Sequence, residues 1–448
     1  MSKPLLSPVN NAALLVGGGL LGLLPLYCFL LVGDLAWSLK ERAVQELVKA
    51  QLREFSLDPV LLNILFGVLP ALIALFAAPA VGAWSDRTRT RLGRRIPFLL
   101  ALTPLLAGSL VLLAFSQPLA DYLHHASSGG PRQRDRTVIA CMGVLWVVFD
   151  LFSIVINAVF IALVNDTVPR EVLGRFFAFF RIVSLAAGAG FFFLVFRNDV
   201  PAIASTAMLV IAAVFIVGFL VLCAGVREPS YPPPPSESRR LLGRLRAERE
   251  GAPWFFVLLF AAVGMAVICV LPVNINGYNA MAQFNVDRSS YGQAIALTYC
   301  ISIVLAWPLG WLADHVHPMR IGLVTLAMYA IGMLLAWMFV SSRESYLFWL
   351  VVHGVLAGVF LTGTASLLPL VLPRERFSEL AAFSASVTAI LAMVLAAGTG
   401  LVISWSGNDF RLIFLVSGLS ATLAVLLWAC AMNAHERRAG SLRSYGSS

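Results

Sequence analysis

Two strings decide how this chain is organised: Val168-Pro-Arg-Glu-Val-Leu-Gly-Arg-Phe-Phe-Ala-Phe179 and Leu372-Pro-Arg-Glu-Arg-Phe-Ser-Glu-Leu-Ala-Ala-Phe383. Pro169, Arg170, Glu171, Ala178 and Phe179 recur as Pro373, Arg374, Glu375, Ala382 and Phe383, all at one offset. A second echo sets Gly82, Ser85 and Asp86 against Gly310, Ala313 and Asp314. Either echo alone is within the reach of chance. Both fall at matching places in the two halves of the chain, which points to an internal duplication.

The duplicated unit is membranous. Of 448 residues, 59% are hydrophobic and 12% charged, against about 25% charged in ordinary soluble domains. The same balance, with 30 Phe and 10 Trp, excludes disorder. A bilayer core about 30 Å thick takes roughly 20 apolar helical residues. Twelve such runs lie at about 12–37, 60–82, 96–116, 138–164, 176–196, 202–225, 254–276, 291–312, 321–340, 346–371, 379–403 and 411–433. The long polar stretch 226–253, with Pro232 to Pro235 followed by Arg239, Arg240, Arg244, Arg246 and Arg249, divides them six and six. The repeats then pair run 4 with run 10 and run 2 with run 8. The expected fold is an all-α polytopic membrane protein of twelve transmembrane helices in two pseudo-symmetric six-helix bundles. These span 1–225 and 254–433, with a central loop 226–253 and a tail 434–448. Parallel halves of this kind flank a midplane site that each side of the membrane reaches in turn.

Positive loops stay cytoplasmic. With both termini inside, the inner segments hold 20 Lys and Arg and the outer ones 11, with Arg181 inside a run. The reverse orientation exports Arg87, Arg89, Arg91, Arg94 and Arg95. The expectation is therefore a multi-pass protein of the cell (inner) membrane with both termini cytoplasmic. Its net charge of +9 sets topology, and no nucleic-acid partner is implied. The first run is too long for a cleavable leader and is expected to be a retained helix. Residues 38–57 place Val44, Leu47, Val48, Leu52 and Phe55 at helical spacing, as an interfacial helix or an extension of the first span. The central loop has a basic amphipathic stretch around Leu241, Leu242 and Leu245, suited to a membrane-surface helix. The six cysteines lie in separate apolar runs without metal-ligand spacing, so neither metal nor cofactor is expected.

Between runs 2 and 3 stands Gly82-Ala-Trp-Ser85-Asp86-Arg87-Thr-Arg89-Thr-Arg91-Leu92-Gly93-Arg94-Arg95-Ile96-Pro97-Phe98. Glycine permits close helix approach, the acid suits a neighbouring helix terminus, and the arginines hold the turn at an anionic lipid surface. The string resembles the loop signature of the major facilitator superfamily. Its S-D-R, then G-R-R-x-P-F, is similar to the glycoside-pentoside-hexuronide:cation symporters, particularly the branch of plant sucrose/proton symporters and their relatives. That family often has a third arginine where this chain has Ile96. The resemblance implies a cytoplasmic gate built from Gly82, Asp86, Arg87, Gly93, Arg94, Arg95 and Asp166.

In the fourth run Asp150 and Asp166 lie sixteen residues apart, as do the intramembrane and cytoplasmic-end acids of the sucrose symporters. The resemblance makes Asp150 the proton carrier. The arginine that lies between the two acids in those symporters aligns with Ile161. On physical grounds alone, an intramembrane acid costs about 2.5 to 3.5 kcal/mol on insertion scales and needs a reason. Asp150, flanked by Phe149, Leu151 and Phe152, suits reversible protonation; the alternative is a carboxylate locked between helices. Asp34 lies near the outer surface if the first helix stops at 37, and near mid-depth if it continues past Lys40, which would bring Lys40, Glu41 and Arg42 to the cavity. Arg181 suits snorkelling or a pair with Asp166. His353 is expected near the outer start of the tenth helix as a hydrogen-bonded packing residue.

Sugars are held by amides, hydroxyls and aromatic faces. Asn157, Asn274, Asn276 and Gln293 with Trp37, Trp146 and Tyr278, and Lys40 beside them, are the candidate substrate contacts; helix-to-helix hydrogen bonding is the alternative for each. The expected function is proton-coupled uptake of a neutral sugar or glycoside, sucrose or maltose among the disaccharides, by a monomer using alternating access. An exporter of hydrophobic compounds shares the fold, but such carriers show a Gly-Pro signature in the fifth helix, where this chain has Gly188 and Gly190 without it. Sodium-coupled relatives carry acids in the second helix, and Val60 to Ala80 has none. No acid-base cluster or phosphate-binding loop supports an enzyme.

Overall fold

In a lipid core the backbone has no hydrogen-bond partner but itself, so long apolar runs become helices. The computed structural model describes residues 23–55, 57–127, 131–196, 200–228, 253–372 and 377–439. Among them the regular secondary structure is helical apart from one isolated bridge between Thr90 and Gly93. Helix α1 is Leu24–Leu52. Helix α2 is composite: Pro59–Asn63, a π-helical turn Ile64–Val68, then Leu69–Arg87. There follow α3 Ile96–Ala114, a short helix Ser116–Ser127, α4 Pro131–Thr167, α5 Arg170–Leu194 and α6 Val200–Gly225. Helix α7 comes in two pieces, Pro253–Ile268 and Leu271–Gln283. The remainder are α8 Arg288–His315, α9 Pro318–Phe339, α10 Arg343–Gly363 with a short continuation Leu367–Val371, α11 Phe377–Trp405 and α12 Leu412–Ala439.

Each expected run holds one helix, and ten helices among the described residues are long and apolar enough to cross a membrane. Helix α1, with Asp34, Lys40 and Glu41 along its middle, falls short of that measure. Its length settles one open alternative: residues 38–52 extend the first helix, and Val44, Leu47, Val48 and Leu52 are buried against protein. Helix α12 runs on to Ala439, through the first residues expected for the tail. The expected surface helix around Leu241, Leu242 and Leu245 lies outside the described residues, as do Pro373, Arg374 and Glu375 of the repeat and residues 12–22 of the first run.

The chain forms two compact units, Met1–Leu57 with Phe76–Pro234, and Asp58–Leu75 with Pro235–Ser448. In unit 1, α1 packs along α6, where a Cβ on Gly218 would lie 2.5 Å from that of Ala36. A chain of rings, Phe160, Phe180, Phe215 and Phe219, fills the space beneath, with Phe215 and Phe219 stacked at 4.3 Å. In unit 2, α9 lies on α12, and Trp428 Nε1 donates to the Met319 carbonyl at 2.8 Å.

The start of α2, placed by sequence in the first bundle, packs within unit 2. The reason is close approach to α11: a Cβ on Gly400 would stand 2.9 Å from Val60 Cα and 3.1 Å from the Pro59 carbonyl oxygen. Both are backbone atoms that cannot swing aside. Gly400→Leu is therefore expected to overpack this contact at about 1–3 kcal/mol and to lower the unfolding temperature of the purified protein. Gly398→Leu, at a site with nothing within 4 Å among the described residues, is the control. Equal melting of the two variants would count against the close approach.

Candidate functional site

Helix α1 carries more charge than an apolar span tolerates, and its neighbours explain how. Lys40 is 1% exposed. Its Nζ donates to Ser153 Oγ of α4, pairs with Glu41 at 2.9 Å and lies 3.5 Å from the centre of the Trp37 ring. A hydroxyl, a carboxylate and a π-face together replace the hydration shell that an ammonium loses on burial. Asp150, one turn before Ser153 on α4, stands within electrostatic reach of Lys40 and Glu41. Trp146 is buried against Phe149, ring centres 5.6 Å apart.

Beside this cluster unit 1 encloses an open-mouthed cavity of about 260 Å³. Helix α1 lines it with Asp34, Trp37, Ser38, Glu41 and Arg42, α4 with Asn157, Phe160 and Ile161, and α5 with Arg181 and Ser184, among others. Asp34 is 4% exposed. Its Oδ1 accepts from Ser38 Oγ at 3.4 Å, and its Oδ2 is buried without a hydrogen-bond partner among the described residues. The Oδ2 atom of Asp150 is in the same state. Arg42 Nη2 donates to Ser184 Oγ at 3.3 Å, tying α1 to α5.

Four of the expected site residues, Asp34, Trp37, Asn157 and Arg181, thus meet at one cavity. Lys40 and Asp150 are not among the lining residues and adjoin them through Glu41. The position of the arginine missing at Ile161 is in that same lining, and guanidinium groups reach the cavity from α1 and α5 instead.

The loop between α2 and α3 forms a separate cluster. Helix α3 begins without a local side-chain cap, leaving amide hydrogens to satisfy. Glu228, just past α6, accepts from the backbone N–H groups of Arg94, Arg95 and Ile96 at 2.8, 2.7 and 2.7 Å. A carboxylate at a helix N-terminus also meets the favourable end of its dipole. Asp166 at the end of α4 holds Arg94 at 2.7 Å and Arg95 at 3.2 Å, and Arg95 also donates to Ser85 Oγ. Gly93 has φ +112°, and a Cβ there would lie 2.5 Å from the Glu228 carboxyl carbon, so both conformation and space demand glycine. Among the described residues nothing lies within 4 Å of the Cβ direction of Gly82. Arg87 is exposed, and the side chain of Asp86 lies outside the described ones. The helix-terminus role expected of Asp86 is filled at α3 by Glu228, which the sequence reading did not single out. Its signal in sequence is a lone acid closing an apolar run, in Val226-Arg227-Glu228.

In unit 2 the polar candidates serve helix contacts. Asn276 and Asn63, both fully buried, exchange amide hydrogen bonds at 2.9 and 3.2 Å. His353 is buried within α10, not at its outer start, with Nε2 3.1 Å from Asn274 Oδ1 and Nδ1 2.8 Å from Tyr329 Oη. Tyr329 reaches Ser417 at 2.9 Å, and Ser417 donates to the Cys269 carbonyl in the break of α7. That break follows from Pro272, which has no N–H to offer the preceding turn. Tyr278 is buried edge-on to Tyr291, and Gln293 is exposed, donating to Ser289 at 3.3 Å. Among the described residues no group of His, Cys, Asp and Glu is placed to hold a metal.

Residues 254–447 match the sequence profile of the Major Facilitator Superfamily. No curated protein sequence matches the chain. Among solved structures the fold is similar to that of a D-xylose-proton symporter, at 12% identity and a TM-score of 0.66 over 91% of this chain and 97% of that one. It is similar also to nucleoside transporter NupG, at 9% identity and 0.64 over 91% and 99%. A bacterial homologue of the iron transporter ferroportin in its inward-facing state shares 17% identity and scores 0.58 over 91% and 99%. At these identities the likeness is one of fold, which hosts many cargoes. Profile and fold agree on a multi-pass, all-helical membrane architecture of the major facilitator type. The matches stop at the superfamily and do not single out the sucrose-type branch.

The Glu228 contact carries a direct expectation. Glu228→Ala leaves three amides without their acceptor, and amide hydrogen exchange at Arg94, Arg95 and Ile96 is expected to accelerate at least ten-fold, with Glu228→Gln intermediate. Unchanged exchange in Glu228→Ala would show that water or another group caps α3 equally well.

Proposed function

We propose that this chain, a membrane transporter of the major facilitator fold, takes up a small hydroxylated solute of the sugar class together with a proton. The observation that carries the reading is Asp34: a buried carboxyl that lines a cavity and has one oxygen without a hydrogen-bond partner among the described residues. An ionised carboxylate so placed lacks the donors that stabilise it, whereas a protonated one needs fewer. Loading and releasing a proton there changes the local charge next to Arg42 and Arg181. Asp150, beside Lys40, is the second such group.

The surrounding residues suit a sugar-like solute. Asn157, Ser38 and Ser184 supply hydrogen-bonding groups to hydroxyls, and Trp37 supplies an aromatic face. The cavity's volume lies just under the roughly 300–1,000 Å³ of ordinary ligand clefts, which suits one ring better than two. For an uncharged solute, one inward positive charge contributes about 2.3 kcal/mol per 100 mV, or roughly a fifty-fold gradient at 1.4 kcal/mol per decade; with an anionic solute the pH difference supplies the drive instead.

In proteoliposomes with an imposed inward proton gradient, Asp34→Asn is expected to abolish concentrative uptake while sparing exchange of solute between the two sides. Asp150→Asn is expected to reduce it at least ten-fold. Full gradient-driven uptake by both variants would overturn proton coupling at these carboxyls.

A further inference from the structure

Two guanidinium groups, Arg42 of α1 and Arg181 of α5, line the cavity described in unit 1. Arg42 is held toward α5 by Ser184, so the two cations are presented from adjacent helices to one space. Opposite signs are also present: Asp34 and Glu41 in the lining, and Asp150 adjoining it. Lys40 is committed to Glu41 and Ser153.

Among these residues three cations, Lys40, Arg42 and Arg181, face three acids, Asp34, Glu41 and Asp150. The set is neutral only while all three acids are ionised. Every proton that Asp34 or Asp150 takes up makes this set of side chains one charge more positive, at the edge of an apolar bundle where added charge is costly. A neutral sugar offers nothing to offset it. A solute with one acidic group does, and two guanidiniums suit carboxylate or phosphate oxygens, which accept paired N–H bonds in fixed geometry.

We infer that the solute carried by this transporter bears a carboxylate or phosphate group, which Arg42 and Arg181 bind together. Proton and anion then load as a pair: protonation of Asp34 releases positive charge to the anion, and the anion in turn favours protonation. The hydroxylated remainder of the solute lies toward Asn157 and the Trp37 ring. This inference rests on the proton-coupled, sugar-class reading above and replaces the neutral solute expected from sequence with an acidic one.

The test uses the full-length purified chain in proteoliposomes with an inward proton gradient and four radiolabelled probes: D-gluconate, D-glucose 6-phosphate, D-glucose and methyl glucoside. At least one anion is expected to bind and accumulate ten-fold or more above the neutral pair. Gluconate alone identifies a carboxylate, and the phosphate ester alone a phosphate. Arg42→Gln and Arg181→Gln are each expected to weaken anion binding at least ten-fold. Arg42→Lys and Arg181→Lys, which keep the charge, are expected to retain part of it and guard against a variant that fails to fold. If neither anion binds, the inference is overturned whatever the neutral probes do. Gradient-driven uptake of glucose with neither anion would overturn the acidic group and leave proton-coupled sugar transport standing. Anion uptake indifferent to the gradient would keep the anion site and remove the proton coupling.

Discussion

A cation sealed inside an apolar bundle is tolerated only where fixed groups replace its water, and Lys40 sets that condition for unit 1. Its three partners come from two helices: Trp37 and Glu41 from α1, Ser153 from α4. Meeting them fixes the rotation of α1 about its axis and its depth against α4. With that rotation set, Asp34, Ser38 and Arg42 fall along one stripe, at spacings of four residues, and that stripe lines the cavity. Cavity chemistry and helix register therefore follow from one buried ammonium.

The neighbouring helices divide the remaining labour. Helix α4 is apolar enough to span and carries its few polar groups, Asp150, Ser153 and Asn157, at helical intervals toward α1. Helix α5 contributes Arg181 and Ser184. Phe160 and Phe180 add apolar faces to the lining and pack on with Phe219 and Phe215. Apolar rings beside charged groups lower the local dielectric, which makes each change of protonation consequential. Unit 2 is different in kind: its buried polar groups, Asn276 with Asn63 and His353 with Tyr329 and Asn274, hold neutral helices together.

Much of this was legible in the sequence, and the boundary has physical causes. Twelve helices could be marked because hydrocarbon thickness imposes a minimum apolar length on each. The charges worth watching, Asp34, Asp150 and Arg181, stood out because loops could not account for them. The end of α1 could not be found this way: Lys40, Glu41, Lys49 and their neighbours look like an interface when read along the chain, and Lys40 is tolerable inside because Glu41, Ser153 and Trp37 surround its ammonium, as Glu46 pairs with Lys49. Asn276 looked like a sugar ligand because its partner, Asn63, lies far away in sequence. The placing of Asp58–Leu75 in unit 2 depends on glycine contacts with α11, which no periodicity reveals. Glu228 was missed because the helix it caps is three helices earlier.

That last contact has a consequence for biosynthesis. The first amides of α3 find their acceptor only in a residue 132 to 134 positions further along the chain. As the polypeptide is made and inserted in order, α3 enters the membrane with its leading turn unfinished, and it stays so until α6 has been completed. Four helices and their loops must therefore be in place before the loop around Gly93 can close. The loop with the densest positive charge is thus among the last parts of unit 1 to reach its final form, though it is among the first to be synthesised.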